Sequence, residues 1–123
     1  MADLILIVED NKATSDAVKS IFQAENYEVE TADCGEAAIE KITSKEYILV
    51  MLDVMLPRVD GFEVCRRIRS SIKNSKTPVI MLTALDIPEI GKRSTEAGAN
   101  DVVIKPFRPD DLMAKVKKII PNI

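Results

Sequence analysis

Leu4-Ile5-Leu6-Ile7-Val8-Glu9-Asp10-Asn11 is the stretch on which the fold turns, and Ile48-Leu49-Val50-Met51-Leu52-Asp53 is its counterpart. Each is an unbroken apolar run, Leu4–Val8 and Ile48–Leu52, that ends in carboxylate. A run with no polar alternation reads as a strand buried on both faces, the place of a central strand in a parallel sheet. Paired strands lie about 4.8 Å apart, so neighbouring runs bring Glu9, Asp10 and Asp53 to one point at the carboxyl edge of the sheet. Open α/β sheets hold their ligands at that edge. Three like charges at such range are costly unless a cation neutralises them or protons bind. The cluster predicts a divalent-metal site with one carboxylate spare for chemistry.

Outward from these runs, strand-like and helix-like segments alternate to both ends, the pattern of an α/β domain with a parallel sheet. Asn11 is placed to cap a helix reaching Glu25, with Ala13, Ala17, Val18, Ile21 and Phe22 on one face. Glu28-Val29-Glu30-Thr31 alternates polar and apolar, which suits an edge strand. A helix is expected over residues 35–44, with Ala38, Ile39 and Ile42 inward. Pro57 and Gly61 bracket a loop, and the spacing predicts a helix over 61–71 with Cys65, Ile68 and Ile72 buried. Pro78 opens a fourth strand, Val79–Leu82, ending at Thr83. The helix over 88–97 contains Gly91 and a polar middle, so it is expected to be the most mobile. Val102–Ile104 makes a short fifth strand before Lys105-Pro106. In the last helix Pro109 suits the first position, Asp110 and Asp111 complement the N-terminal dipole, and Lys115, Lys117 and Lys118 the C-terminal end. Leu112, Val116 and Ile119 form its buried stripe. Without a linker or repeat, residues 1–123 read as one domain of five strands and five helices.

A chain of 123 residues, 46% hydrophobic and 30% charged, has the composition of a globular domain. It has no apolar run long enough to span a membrane and no secretory signal at Met1-Ala2-Asp3, so the cytoplasm is the expected location. Net charge is −3 with both signs interspersed, which argues against direct nucleic-acid binding. The densest basic stretch, Arg66-Arg67-Ile68-Arg69, reads as the wet face of a helix. Cys34 and Cys65 lack metal or redox spacing and read as free thiols. Histidine is absent, which excludes Ser–His triads, Cys–His pairs and histidine-containing zinc sites. The chain cannot itself carry a phosphohistidine.

Glu9, Asp10, Asp53, Thr83 and Lys105 each fall at the carboxyl end of a predicted strand, so five residues far apart in sequence converge. One aspartate after a strand is ordinarily a turn or helix cap, a lone threonine a cap and a lone lysine a surface cation. The constellation is what points to chemistry. Carboxylate oxygens suit Mg²⁺. An aspartate beside such an ion can attack a phosphoryl group and form an acyl phosphate. A lysine would stabilise charge on the transferring oxygens, and a hydroxyl could donate to one of them.

These residues resemble those of the two-component response-regulator receiver domains of the CheY-like type. The resemblance is carried by Val8-Glu9-Asp10-Asn11, by Leu52-Asp53-Val54-Met55-Leu56-Pro57 with Asp60-Gly61, by Met81-Leu82-Thr83-Ala84, and by Ala97-Gly98-Ala99 leading to Lys105-Pro106-Phe107. It spans nearly the whole chain. It implies a doubly wound five-stranded parallel sheet of order 2-1-3-4-5 flanked by five helices. It implies that Asp53 is the phosphoacceptor, served by a partner histidine kinase or histidine phosphotransfer protein. Glu9, Asp10 and Asp53 would then hold Mg²⁺ with the backbone carbonyl of Met55. Lys105 would pair with the acidic cluster and then with the phosphoryl group, and Thr83 would move to hydrogen-bond it. It further implies a cis bond before Pro106 and a downstream protein target or fused output domain; whether phosphorylation drives a dimer is left open by the sequence.

Two departures stand out. Similar domains often carry an aromatic residue three positions before the lysine, where this chain has Val102; a branched aliphatic cannot swing a ring, so signalling is expected to run through backbone movement of residues 84–91. The positions two residues after Asp53 and after Thr83 are Met55 and Leu85, both apolar and unable to orient an attacking water, so slow self-dephosphorylation is expected. Three other functions fit less well. A degenerate receiver acting only as a binding module would have lost an acceptor, metal or lysine position. An aspartyl phosphatase of similar fold would carry its nucleophile after the first strand. An FMN carrier would place hydroxyls and glycines where Glu9 and Asp10 repel phosphate.

Overall fold

The structure is a computed structural model and describes residues 3–120. The elements run β1 (Leu4–Val8), α1 (Lys12–Ala24), β2 (Glu28–Ala32), α2 (Gly35–Ser44), β3 (Leu49–Asp53), α3 (Gly61–Ser70), β4 (Val79–Thr83), α4 (Pro88–Ala97), β5 (Asp101–Ile104) and α5 (Pro109–Ile119). All strands are parallel in the order β2-β1-β3-β4-β5. Every residue of β1, β3 and β4 is buried, while β2 at the edge is mostly half-buried or exposed. The unbroken apolar runs thus take the centre and the alternating segment the edge.

Period-two geometry splits each central strand between two cores. Leu6, Val8, Val50, Leu52 and Met81 pack with Ile42 of α2, Phe62 and Ile68 of α3 and Ile90 of α4. Ile5, Ile7, Leu49, Met51, Ile80 and Leu82 pack on the other face with Val18 and Phe22 of α1 and Leu112 and Val116 of α5. Each fully buried Leu or Ile contributes about 1.5–3 kcal/mol, so a charge placed at Leu6, which is 0% exposed, would break the sheet.

Local signals set the ends of the helices. Asn11 Oδ1 accepts from the Thr14 N–H at 2.9 Å and Asp60 Oδ1 from the Glu63 N–H at 2.9 Å, each satisfying a free donor in a first turn. Pro88 and Pro109 occupy first helical positions. Gly98, at φ 103°, ends α4 in the left-handed conformation that favours glycine.

Several expectations are corrected. Ile72 is 99% exposed: α3 stops at Ser70 and Ser71 turns to extended backbone, so the helical spacing that would bury residue 72 no longer applies. In α1 the buried stripe is Ser15, Val18 and Phe22, which leaves Ala13 and Ala17 exposed. Ile39 of α2 and Ile119 of α5 are half-buried at the margins of their stripes. Lys115 does not serve the end of α5; its Nζ reaches back to Asp101 Oδ1 at 3.2 Å and the Val102 carbonyl at 2.9 Å. Arg66 and Arg67 pair with Glu63 on the wet face of α3, but Arg69 turns inward. Both cysteines are free thiols, Cys34 half-buried and Cys65 buried. The Lys105–Pro106 bond is cis. Among the described residues no helix is long and apolar enough to cross a membrane.

Candidate phosphoacceptor site

Strand register delivers the site. Val8 pairs with Leu52, Asp53 with Leu82 and Thr83 with Ile104, so Glu9, Asp53, Thr83 and Lys105 leave the sheet side by side. Backbone hydrogen bonds continue the ladder past the strands: Glu9 N–H to Ala32, Val54 N–H to Leu82 and Lys105 N–H to Thr83, at 3.0, 2.9 and 2.7 Å. Oxygens of Glu9, Asp10 and Asp53 lie within 4.8 Å of one another. Glu9 and Asp53 are buried, and Asp10 is exposed.

One cation faces them. Lys105 Nζ lies 2.6 Å from Glu9 Oε1 and 3.5 Å from Asp53 Oδ1. Glu9 Oε2 also accepts from the Asn11 N–H at 3.1 Å, and Asp53 Oδ1 from the Met55 N–H at 3.2 Å. Burial pushes the Asp53 carboxyl up to about 7, helped by hydrogen bonding to Glu9 and by its negative charge; Lys105 and the Met55 N–H oppose the shift. Burial works upward on Glu9 too, but the hydrogen bond from Lys105, the one shared with Asp53 and the Asn11 N–H outweigh it, and Glu9 lies below the usual carboxylate range. Lysine proximity biases the pair: Lys105 sits closer to Glu9, which favours ionised Glu9 and pushes the proton the two carboxyls share toward Asp53.

The donor set is all carboxylate oxygen, has more negative charge than Lys105 can balance, and includes an exposed member open to water. That is the chemistry of a hard divalent cation, and Glu9, Asp10 and Asp53 are the residues able to hold one. Thr83 is 0% exposed, and its Oγ1 accepts from the Leu85 N–H at 3.0 Å. The Met55 and Leu85 side chains are 61% and 40% exposed on either side of the pocket. A cleft of about 480 Å³ opens beside the cluster between Asp10, Met55, Phe62, Leu85 and Arg93. A larger groove of about 1080 Å³ lies at the opposite, amino edge of the sheet and contains none of the five site residues.

Two positioning elements were not legible as such. A Cβ at Gly61 would overlap the Asp53 carbonyl oxygen and crowd Val54 Cα at 2.8 Å; glycine at this position lets α3 start against the backbone of the acidic strand. The Leu85 N–H ties the following loop to Thr83 and carries no side-chain signal at all.

A parallel 2-1-3-4-5 sheet with acids, hydroxyl and lysine gathered at its carboxyl edge defines a doubly wound α/β protein with its site at the switch point of strand order. A sequence model of the response regulator receiver domain matches residues 5–117. The chain belongs to this family, the receiver domains of two-component systems. It is 37% identical over 116 residues to the transcriptional regulatory protein ResD of Bacillus subtilis, covering 94% of this chain and 47% of that protein. It thus spans about half the length of such curated relatives. In structure it is similar to a putative response regulator from Chloroflexus aurantiacus (TM-score 0.92, 33% identity, 98% and 99% of the two chains). It also resembles the receiver domain of the sensor histidine kinase PA1611 from Pseudomonas aeruginosa (TM-score 0.87, 27% identity, 96% and 97% of the chains), a structure with a magnesium ion coordinated in its active-site cleft.

Proposed function

We propose that this chain is a Mg²⁺-dependent phosphorelay switch of the cytoplasm, in which Asp53 accepts a phosphoryl group from a phosphohistidine on a partner kinase or phosphotransfer protein. The observation that carries the reading is the convergence of Glu9, Asp10 and Asp53 within 4.8 Å, with Lys105 against two of them and Thr83 at the same edge. Glu9, Asp10 and Asp53 would hold the ion, joined by the Met55 carbonyl. When bound, Mg²⁺ supplies positive charge that favours ionised Asp53 and offsets charge on the phosphoryl oxygens.

The remaining chemistry belongs to the chain. An Asp53 carboxylate oxygen attacks phosphorus; a P–O bond forms as the P–N bond breaks, and the donor imidazole leaves with that electron pair. Lys105 exchanges carboxylate contacts for the transferring oxygens, and the Thr83 hydroxyl donates to one of them. Because Leu85 hangs on Thr83 Oγ1, movement of Thr83 draws the loop after it, and the surface around residues 84–105 changes for a downstream target, a fused output domain or a second copy. Residue 102 is a half-buried valine, so the report runs through backbone rather than a ring. Met55 and Leu85 offer no polar atom to position water, and the phosphoryl group is lost slowly.

Transfer from a phosphorylated histidine phosphotransfer domain tests this reading. Label should pass to the wild type in Mg²⁺, fail to pass in EDTA, and fail in Asp53→Asn. Equal labelling of Asp53→Asn would contradict it.

A further inference from the structure

Arg69 is the one member of the basic run that leaves the wet face, and it bonds to two separate connections, α3–β4 and α4–β5. Its Nε donates to the Gly98 carbonyl at 2.9 Å, one terminal nitrogen to the Ser75 and Thr77 carbonyls at 3.3 and 2.7 Å, and the other to Asn100 Oδ1 at 3.0 Å. Asn100 is itself fixed to β4, exchanging hydrogen bonds with Val79: its N–H donates to the Val79 carbonyl at 2.8 Å and its Oδ1 accepts from the Val79 N–H at 2.9 Å. Gly98 sits so close that a Cβ would meet Arg69 Cγ at 2.8 Å. A rigid, planar guanidinium with its donors spent on carbonyl and amide oxygens is a brace across the end of α4.

The other end of α4 is built differently. Residues 84–89 are all exposed, Ile87 at the cap position makes no side-chain hydrogen bond, and the side-chain tie recorded for this loop is Leu85 N–H to Thr83 Oγ1. Within the helix, Ser94 Oγ is buried and has no hydrogen-bond partner among the described residues, and a Cβ at Gly91 would meet nothing within 4 Å. Hydrogen bonds from neighbouring elements gather at the carboxyl end of the helix, while Ile90 in the core and Arg93, 4.1 Å over the Phe62 ring, hold its middle without a hydrogen bond.

We propose that Arg69 is a positioning residue for the switch: it pins the carboxyl end of α4 at Gly98 and Asn100, so that movement begun at Thr83 swings the 84–90 end about a fixed pivot. The pivot rests on the reading of Asp53 as phosphoacceptor, whereas the brace itself is a property of the resting protein. A helix braced at one end converts a small displacement at the other into rotation, which gives the chain a way to report without a ring at residue 102.

Hydrogen–deuterium exchange along α4, with and without Mg²⁺ and beryllofluoride as the phosphoryl mimic, tests both parts. In the resting wild type, residues 97–100 should exchange more slowly than 84–90, and Arg69→Ala should speed exchange at 97–100 by about tenfold while leaving 84–87 alone. Arg69→Lys keeps the charge but not the fork of donors and should fall between the two. With the mimic, wild type should respond at 84–90 and not at 97–100, and Arg69→Ala should respond along the whole segment. Asp53 labelling should stay within about twofold in both variants, since Arg69 does not touch the reacting atoms. Unchanged exchange at 97–100 in Arg69→Ala overturns the brace. A uniform wild-type response over 84–100 overturns the pivot alone, and no response anywhere overturns the reading of the acidic pocket together with the pivot.

Discussion

The two edges of one sheet treat buried polar groups in opposite ways. At the amino edge Asn74, 1% exposed, donates to the Ile42 and Lys45 carbonyls at 2.6 and 2.7 Å. It accepts from the Tyr47 N–H and Thr77 Oγ1, both at 2.9 Å, and Thr77 Oγ1 lies 3.2 Å from the Tyr47 carbonyl. That network closes on itself and ties the α2–β3 and α3–β4 connections together. At the carboxyl edge Glu9 and Asp53 share Lys105, Asp10 is exposed, and charge is left over. Satisfied polar burial holds a fold together, whereas unsatisfied charge is a demand for a ligand.

Substitutions at the two edges should therefore move stability in opposite directions. Asn74→Ala strands several buried backbone groups and is expected to cost about 3 kcal/mol in urea denaturation; a loss under about 1 kcal/mol would show the network to be slack. Asp53→Asn removes a crowded charge and should stabilise the metal-free protein on the order of 2 kcal/mol at pH 8, the proton being shared between two carboxyls. The sign follows from linkage. A carboxyl raised to about 7 binds its proton more tightly folded than unfolded, so its contribution falls as pH rises from about 4 through 7. Glu9, held low, contributes stability that is present above its unfolded value and lost only as pH falls through its folded one. In EDTA the wild type should lose stability between pH 5 and 8 (both assay settings) relative to Asp53→Asn; parallel curves would contradict the crowding.

Smaller effects sharpen the same contrast. Met55→Asn places a polar group beside Asp53, the proposed acceptor, and should speed loss of phosphoryl label several-fold, a barrier change of about 1 kcal/mol; an unchanged or slower decay would remove the apolar flank from the account. Ser94→Ala deletes a buried hydroxyl that has no partner among the described residues and should be neutral or stabilise by up to about 1 kcal/mol. A loss of that size would mean the hydroxyl is satisfied after all.

The carboxyl edge was legible in sequence because each of its residues is announced by the run before it. Leu4–Val8 points at Glu9 as plainly as Val79–Leu82 points at Thr83; burial marks these strands as central, while the order that joins them comes from the family resemblance. Asn74 gave no such sign, since its partners at Ile42, Lys45 and Tyr47 lie some 30 residues away and meet it only in three dimensions. Arg69 sits in a run of like residues, and helical phase alone does not say which arginine turns toward Gly98. Ile72 shows the limit of periodicity: the pattern extends one residue past the point where Ser71 ends the helix.

Peptide mapping by mass spectrometry after incubation with a small phosphoramidate donor and Mg²⁺ addresses the phosphoacceptor directly. The account predicts one added phosphoryl group on the peptide containing Asp53, absent in EDTA and in Asp53→Asn. A phosphoryl group on another residue, or none in Mg²⁺, would contradict it.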